Sequence, residues 1–176
     1  MKRQVSSARA AVLAVGLTFV AGVAPAVART SGTESIQGTI VASGESGTRA
    51  LLSSVFVATG AFTATGHDVE VANRPGDPQN VTRDDLVFPR GTIHIRVTSQ
   101  PPTMSANQQT CVGSVRIKQT IKVVGGTGRF RHASGTFAGT LHGWGVSPRN
   151  PDGTCFQQAE WLLETAVISM RGTLSS

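Results

Sequence analysis

Two stretches in which apolar and polar residues alternate strictly do most to limit what this chain can become. In Val115-Arg-Ile-Lys-Gln-Thr-Ile-Lys-Val123, the residues Val115, Ile117, Ile121 and Val123 fall on one face, and Arg116, Lys118, Thr120 and Lys122 on the other. In Gly91-Thr-Ile-His-Ile-Arg-Val-Thr98, Ile93, Ile95 and Val97 oppose His94, Arg96 and Thr98 in the same way. A period of two belongs to a strand with one dry and one wet face, since a helix would scatter these apolar residues around its circumference. Composition points the same way. Of 176 residues, 20 are Gly, 20 Thr and 16 Ser, and only 15% are charged, which excludes a coiled coil and a highly charged disordered chain.

The remaining segments fit the same class. Alternation begins again at Ser35-Ile-Gln-Gly-Thr-Ile-Val41, after a polar stretch over 29–34 that reads as a flexible N-terminus, and a turn-rich run follows over 43–48. Residues 51–71 carry Val55, Phe56, Val57, Phe62, Val69 and Val71, with Gly60 and Gly66 as bends or bulges. The proline- and aspartate-rich run 73–85 reads as a surface loop, as do 100–110 and 147–153. It includes Asn80-Val-Thr82, an acceptor sequence for glycosylation in a eukaryotic secretory route. Thr136 to Trp144 reads as a strand, and a last strand runs from Phe156 to about Thr173, with a helix over its first half as the alternative. Hairpin-linked strands of this number and spacing predict a single all-β domain over 35–176, a sandwich or an antiparallel barrel of about eight strands. Such a barrel either fills with side chains or holds one small ligand.

Residues 1–28 are expected to be a cleaved signal peptide: Lys2 and Arg3 precede an apolar run from Ala10 to Val23, which ends at Ala-Val-Ala28. The run is shorter than the ~20 residues of a membrane span, so no membrane association is expected after cleavage. Loss of Lys2, Arg3 and Arg9 lowers the formal charge from +6 to +3, a poor basis for binding nucleic acid, and none is expected. Cys111 and Cys155 remain, and in an oxidising compartment two cysteines most simply form one disulfide. Their spacing lacks the pattern of a metal site, so no metal is expected.

The most specific stretch is Val123-Val-Gly-Gly-Thr-Gly-Arg-Phe-Arg-His-Ala-Ser-Gly-Thr-Phe137. Its Gly-Gly-Thr-Gly-Arg-Phe core followed by Ala-Ser-Gly resembles the hairpin signature of dirigent proteins and allene oxide cyclases, most closely that of small exported bacterial proteins with an allene-oxide-cyclase-like barrel. The resemblance implies an eight-stranded antiparallel barrel with an apolar interior and a small homo-oligomer. It also implies cyclisation or coupling of a small hydrophobic molecule without a cofactor. Read as residues, the motif is a structural turn: Gly125, Gly126 and Gly128 permit positive φ or close backbone approach. Arg129 is expected to anchor the turn on carbonyls, and Phe130 to plug the barrel end. The catalytic residues of the plant enzymes find no counterpart motif here, and the chain has no Tyr.

Within that frame the chain is an exported barrel that binds a hydrophobic small molecule, with a cofactor-free cyclase or isomerase as one form and a non-catalytic barrel with a filled interior as the other. The inward phase Val115, Ile117, Ile121, Val123, Phe137 and Leu141 is expected to line the cavity. Glu164 is the acid/base candidate: it shares a face with Leu162, Ala166, Ile168 and Met170, and an apolar cavity raises a carboxyl pKa. The opposite phase, Trp161, Leu163 and Val167, is also apolar, so both orientations of that strand stand. The plainer role for Glu164 is a carboxylate paired with an arginine. His67 and Asp68 are expected where a strand ends, pointing to opposite faces.

Overall fold

The computed structural model describes residues 31–44, 49–155 and 161–176. The expected signal peptide lies outside them, as does Phe156. Among the described residues the chain forms strands β1 (Ser31–Ser43), β2 (Ala50–Gly60), β3 (Ala64–Val71), β4 (Val81–Phe88), β5 (Gly91–Ser99), β6 (Thr103–Asn107), β7 (Val112–Gly126), β8 (Ser134–Val146) and β9 (Leu163–Ser175). One turn of 3-10 helix spans Gly128–Phe130. All pairings are antiparallel, in the order β5-β4-β3-β2-β1-β9-β8-β7, and β5 pairs back onto β7 to close an eight-stranded barrel. Strand β7 is long enough to change partners. Its second half pairs with β5, and its first half carries β6, a ninth strand outside the ring. The disulfide Cys111–Cys155 ties this projecting hairpin to the segment that follows β8.

Several expected boundaries move. Residues 31–34, read as flexible, begin β1, and the expected loops over 73–85 and 100–110 contain the start of β4 and all of β6. The start of β4 escapes notice because its first inward residues, Thr82 and Asp84, are polar, and the apolar stripe begins only at Leu86 and Phe88. His67 and Asp68 lie within β3 rather than at its end. The last strand is settled as β9, with Ala166, Ile168, Met170 and Leu174 buried and Leu163 and Val167 exposed.

One end of the barrel is filled. The rings of Phe62, Phe88 and Phe130 meet with centroids 4.9 to 5.9 Å apart. Phe130 reaches this cluster because the glycine turn aims it there. Gly125 and Gly128 have φ of 136° and 54°, and a Cβ on Gly126 would run into the carbonyls of Thr92 and Phe130. The backbone N–H groups of Thr127 and Arg129 anchor this turn, donating to the Thr92 and Arg90 carbonyls at 2.8 and 2.9 Å. Glu34, on the inward phase of β1 with Ile36 and Ile40, is wholly buried. Its Oε2 accepts the Phe62 N–H at 3.0 Å and so fixes the β2–β3 turn, while Oε1 has no hydrogen-bond partner. Burial raises its pKa, and the amides of Phe62, Ser35, Thr59 and Ala61 oppose that rise.

Truncating the ring that seals this end leaves a void that neighbouring rings on rigid strands cannot collapse into. Phe130→Ala should destabilise the protein by about 3–5 kcal/mol in urea unfolding.

Candidate functional site

At the opposite end the same inward phase leaves space. A cavity of about 580 Å³ opens where β1, β3, β5 and β8 end and β2, β4 and β9 begin. This is the size at which small-molecule sites are usually found, ~300–1,000 Å³. Its apolar wall is built from Phe56, Leu86, Ile95, Ile121, Ile168 and Met170, together with Val115, Ile117 and Leu141. Four of the six expected lining residues are therefore on this wall: Val115, Ile117, Ile121 and Leu141. Val123 and Phe137 face inward as expected but are packed in the core and do not reach the cavity. They lie deeper along the barrel than Ile117 and Leu141, in register with Gly135 and Gly172.

The rim is acidic. Asp68 and Glu70 come from β3, Asp84 from β4 and Glu164 from β9, and all four line the cavity. Glu70 stands directly opposite Asp84 in the β3–β4 register. Arg49, just before β2, spans the opening, with Nη1 on Glu70 and Nε 3.3 Å from Glu164. Glu164 thus faces inward, as one of the two readings of its strand required, and is engaged by an arginine. Glu160 lies outside the described residues. Arg83, the other cation on the lining, is held by Asp77 at 2.7 and 3.1 Å. This contact, with the Arg74 amide, holds the Asp77 carboxyl down at about 2.

Asp68, singled out in the sequence only beside His67, is the residue whose place in the cavity the sequence did not assign. Its side chain lies where β2 and β3 part: the two strands pair only at Ala58/Ala64, Val57/Thr65 and Phe56/Gly66. Beyond that, the Ser54 hydroxyl bridges them, accepting the Asp68 N–H at 2.7 Å and donating to the Asp68 carbonyl at 3.2 Å. Asp68 is 8% exposed, and its Oδ1 is buried without a hydrogen-bond partner. Burial, with the charges of Asp84 and Glu70, pushes its carboxyl up to about 7, against the Val69 amide and Arg49. Asp84 is pushed up to about 6, by burial and by Glu70 and Asp85, against Thr82 and Arg49. A signal was present: Asp68 and Glu70 are two positions apart on a strand and so share a face, as do Asp84 and Leu86. However, the face of β3 could be told only from its partners. The contact between a histidine and an aspartate occurs elsewhere, between His94 Nδ1 and Asp85 Oδ1 at 2.6 Å on the outside of the barrel.

Carboxyls held near neutrality in a cleft are what proton transfer or recognition of a donor requires. Among the described residues no three His, Cys, Asp or Glu side chains are grouped to hold a metal ion. Compared with protein-family models, with curated proteins and with solved structures, the chain matches none.

The raised carboxyls make stability fall as pH rises. Between 3.8 and about 7 the folded state holds a proton at Asp68 that the unfolded chain releases. The stability present at low pH is therefore lost as pH climbs through that window, by roughly 4 kcal/mol at most. Asp84 and Glu34 act in the same direction. The melting temperature should drop between about pH 4 and pH 7, and Asp68→Asn should flatten that slope and raise the melting temperature at the upper pH.

Proposed function

We propose that this protein is an exported barrel that takes a small hydrophobic molecule into the open end of its interior. The observation that carries this reading is the cavity itself, which runs from a carboxylate rim to an apolar wall inside a barrel whose other end is sealed by aromatic rings. The resemblance of residues 123–137 to the allene-oxide-cyclase-like proteins supports the same class of ligand. Export is supported by the basic, apolar and small-residue sequence of residues 1–28 and by the disulfide, a bond that persists in oxidising compartments.

A second reading, a cofactor-free cyclase or isomerase, is favoured by Asp68. A carboxyl pushed to about 7 beside an apolar wall gives up and takes back a proton at neutral pH. In that reading Asp68 is the acid/base group. Glu164, whose carboxylate is occupied by Arg49, would instead position that arginine at the mouth.

Binding is read with the neutral fluorophore N-phenyl-1-naphthylamine. Saturable enhancement is expected, and Ile117→Trp, which fills the cavity from a half-buried wall position, should weaken it by about tenfold or more with the melting temperature held. Non-saturable binding, or binding untouched by Ile117→Trp, would sink the pocket reading. For the catalytic form, a molecule that co-purifies and is identified by native mass spectrometry supplies the substrate. Asp68→Asn should then slow its conversion by ~10²–10⁴-fold while binding persists, and Glu164→Gln should slow it less.

A further inference from the structure

Resting on the pocket reading, we infer that the molecule taken up carries a compact organic cation, a primary ammonium at one end of an apolar body, seated against Asp68 and Asp84.

The cavity lining holds four carboxyl groups and two guanidinium groups. Arg83 is neutralised by Asp77, which is not on the lining. Arg49 contacts Glu70 and Glu164. Asp68 and Asp84 are left facing the same space with no cation in contact, although Arg49 is near enough to act on both. Asp84 has the Thr82 hydroxyl at 3.4 Å, and Asp68 Oδ1 has no partner at all. Asp68 lines the cavity, and a buried carboxylate with an unpartnered oxygen is costly unless a cation beside it offsets its charge.

The occupant's chemistry follows from its surroundings. An anion would meet four carboxyls and an Arg49 already engaged by Glu70 and Glu164. A hydroxyl could donate to Asp68 but would leave its charge uncompensated. A bare metal ion would want a third ligand, and these side chains are not grouped for one. The wall immediately below, Phe56, Leu86, Ile121 and Ile168, is apolar, which suits the body of an amphiphile and not a hydrated ion. An ammonium has three donors, enough to reach Asp68 and Asp84 together, and charge-assisted bonds of this kind are about twice as strong as neutral ones.

The test compares decylamine, 1-decanol and decanoate by displacement of N-phenyl-1-naphthylamine at about pH 8, where the amine is protonated and both aspartates are largely ionised. Decylamine is expected to bind about tenfold or more tighter than decanol, with decanoate weakest. Asp68→Asn should bring the amine to within about threefold of the alcohol, while saturable binding of N-phenyl-1-naphthylamine, which carries no group for Asp68 to hold as a cation, shows that the pocket is intact. Asp84→Asn, made in parallel, should narrow the same gap if the Asp68 variant does not fold. Equal binding of amine and alcohol by the native protein would overturn the cation assignment and leave the pocket reading standing. Binding of none of the three would remove the pocket reading, and the cation with it.

Discussion

Closing eight strands into a ring encloses an interior whose width is set by strand number and tilt, and inward side chains must either fill it or leave a hole. This chain does both, at different depths. Toward one end the inward positions hold Phe62, Phe88 and Phe130, with Phe56 packed close over Gly38, where a Cβ would meet its ring. Toward the other they hold aliphatic residues and then carboxylates, which cannot pack across the same width. The cavity is therefore a consequence of which residue types fall on the inward phase at each level, and the glycine turn at 125–128 matters because it delivers the ring that makes the difference.

The mouth carries an energetic tension that the rest of the fold has to absorb. Asp68, Glu70, Asp84 and Glu164 share a small low-dielectric space, where like charges raise one another's pKa and burial raises it further. Only Arg49 answers them from within the described lining. Exposed ion pairs contribute little to stability, so the Arg49–Glu70 contact matters more for where it places charge than for what it adds. A stable barrel can carry an unsatisfied carboxylate of this kind. Conserving fold stability alone would favour asparagine or an apolar residue at position 68, and such tension is characteristic of binding and catalytic sites.

The resemblance carried by residues 123–137 and the physical reading of the same residues converge on a turn. The motif's glycines serve geometry and its phenylalanine serves packing, while the buried carboxyls of the cavity, Asp68 and Asp84, sit about 55 and 39 residues earlier than position 123, on β3 and β4. A motif that is distinctive in sequence can thus belong to the scaffold while the cavity's carboxyls come from segments with no motif at all.

How much of this was legible depends on distance along the chain. Strict alternation in Val115–Val123 and Ile93–Val97 determined strands and their wet and dry faces, because a period of two is a local property of the extended backbone. The all-β class and the pairing of Cys111 with Cys155 followed from such local patterns, turn residues and cysteine count, whereas these left a sandwich and a barrel both open and only the resemblance of residues 123–137 implied the barrel. Val115, Ile117, Ile121 and Leu141 were legible as inward residues for the same reason, whereas how deep each one sits was not, so Val123 and Phe137 went unseparated from them. Nor did local pattern decide the phase of β9, apolar on both faces, or the face of β3, where Asp68 alternates with Val69. Those depend on which strands become neighbours, on the three-pair seam where β2 and β3 part, and on an arginine at position 49 reaching glutamates 21 and 115 residues away. Burial and charge proximity are properties of the closed ring, and only the tertiary structure could bring these carboxylates together.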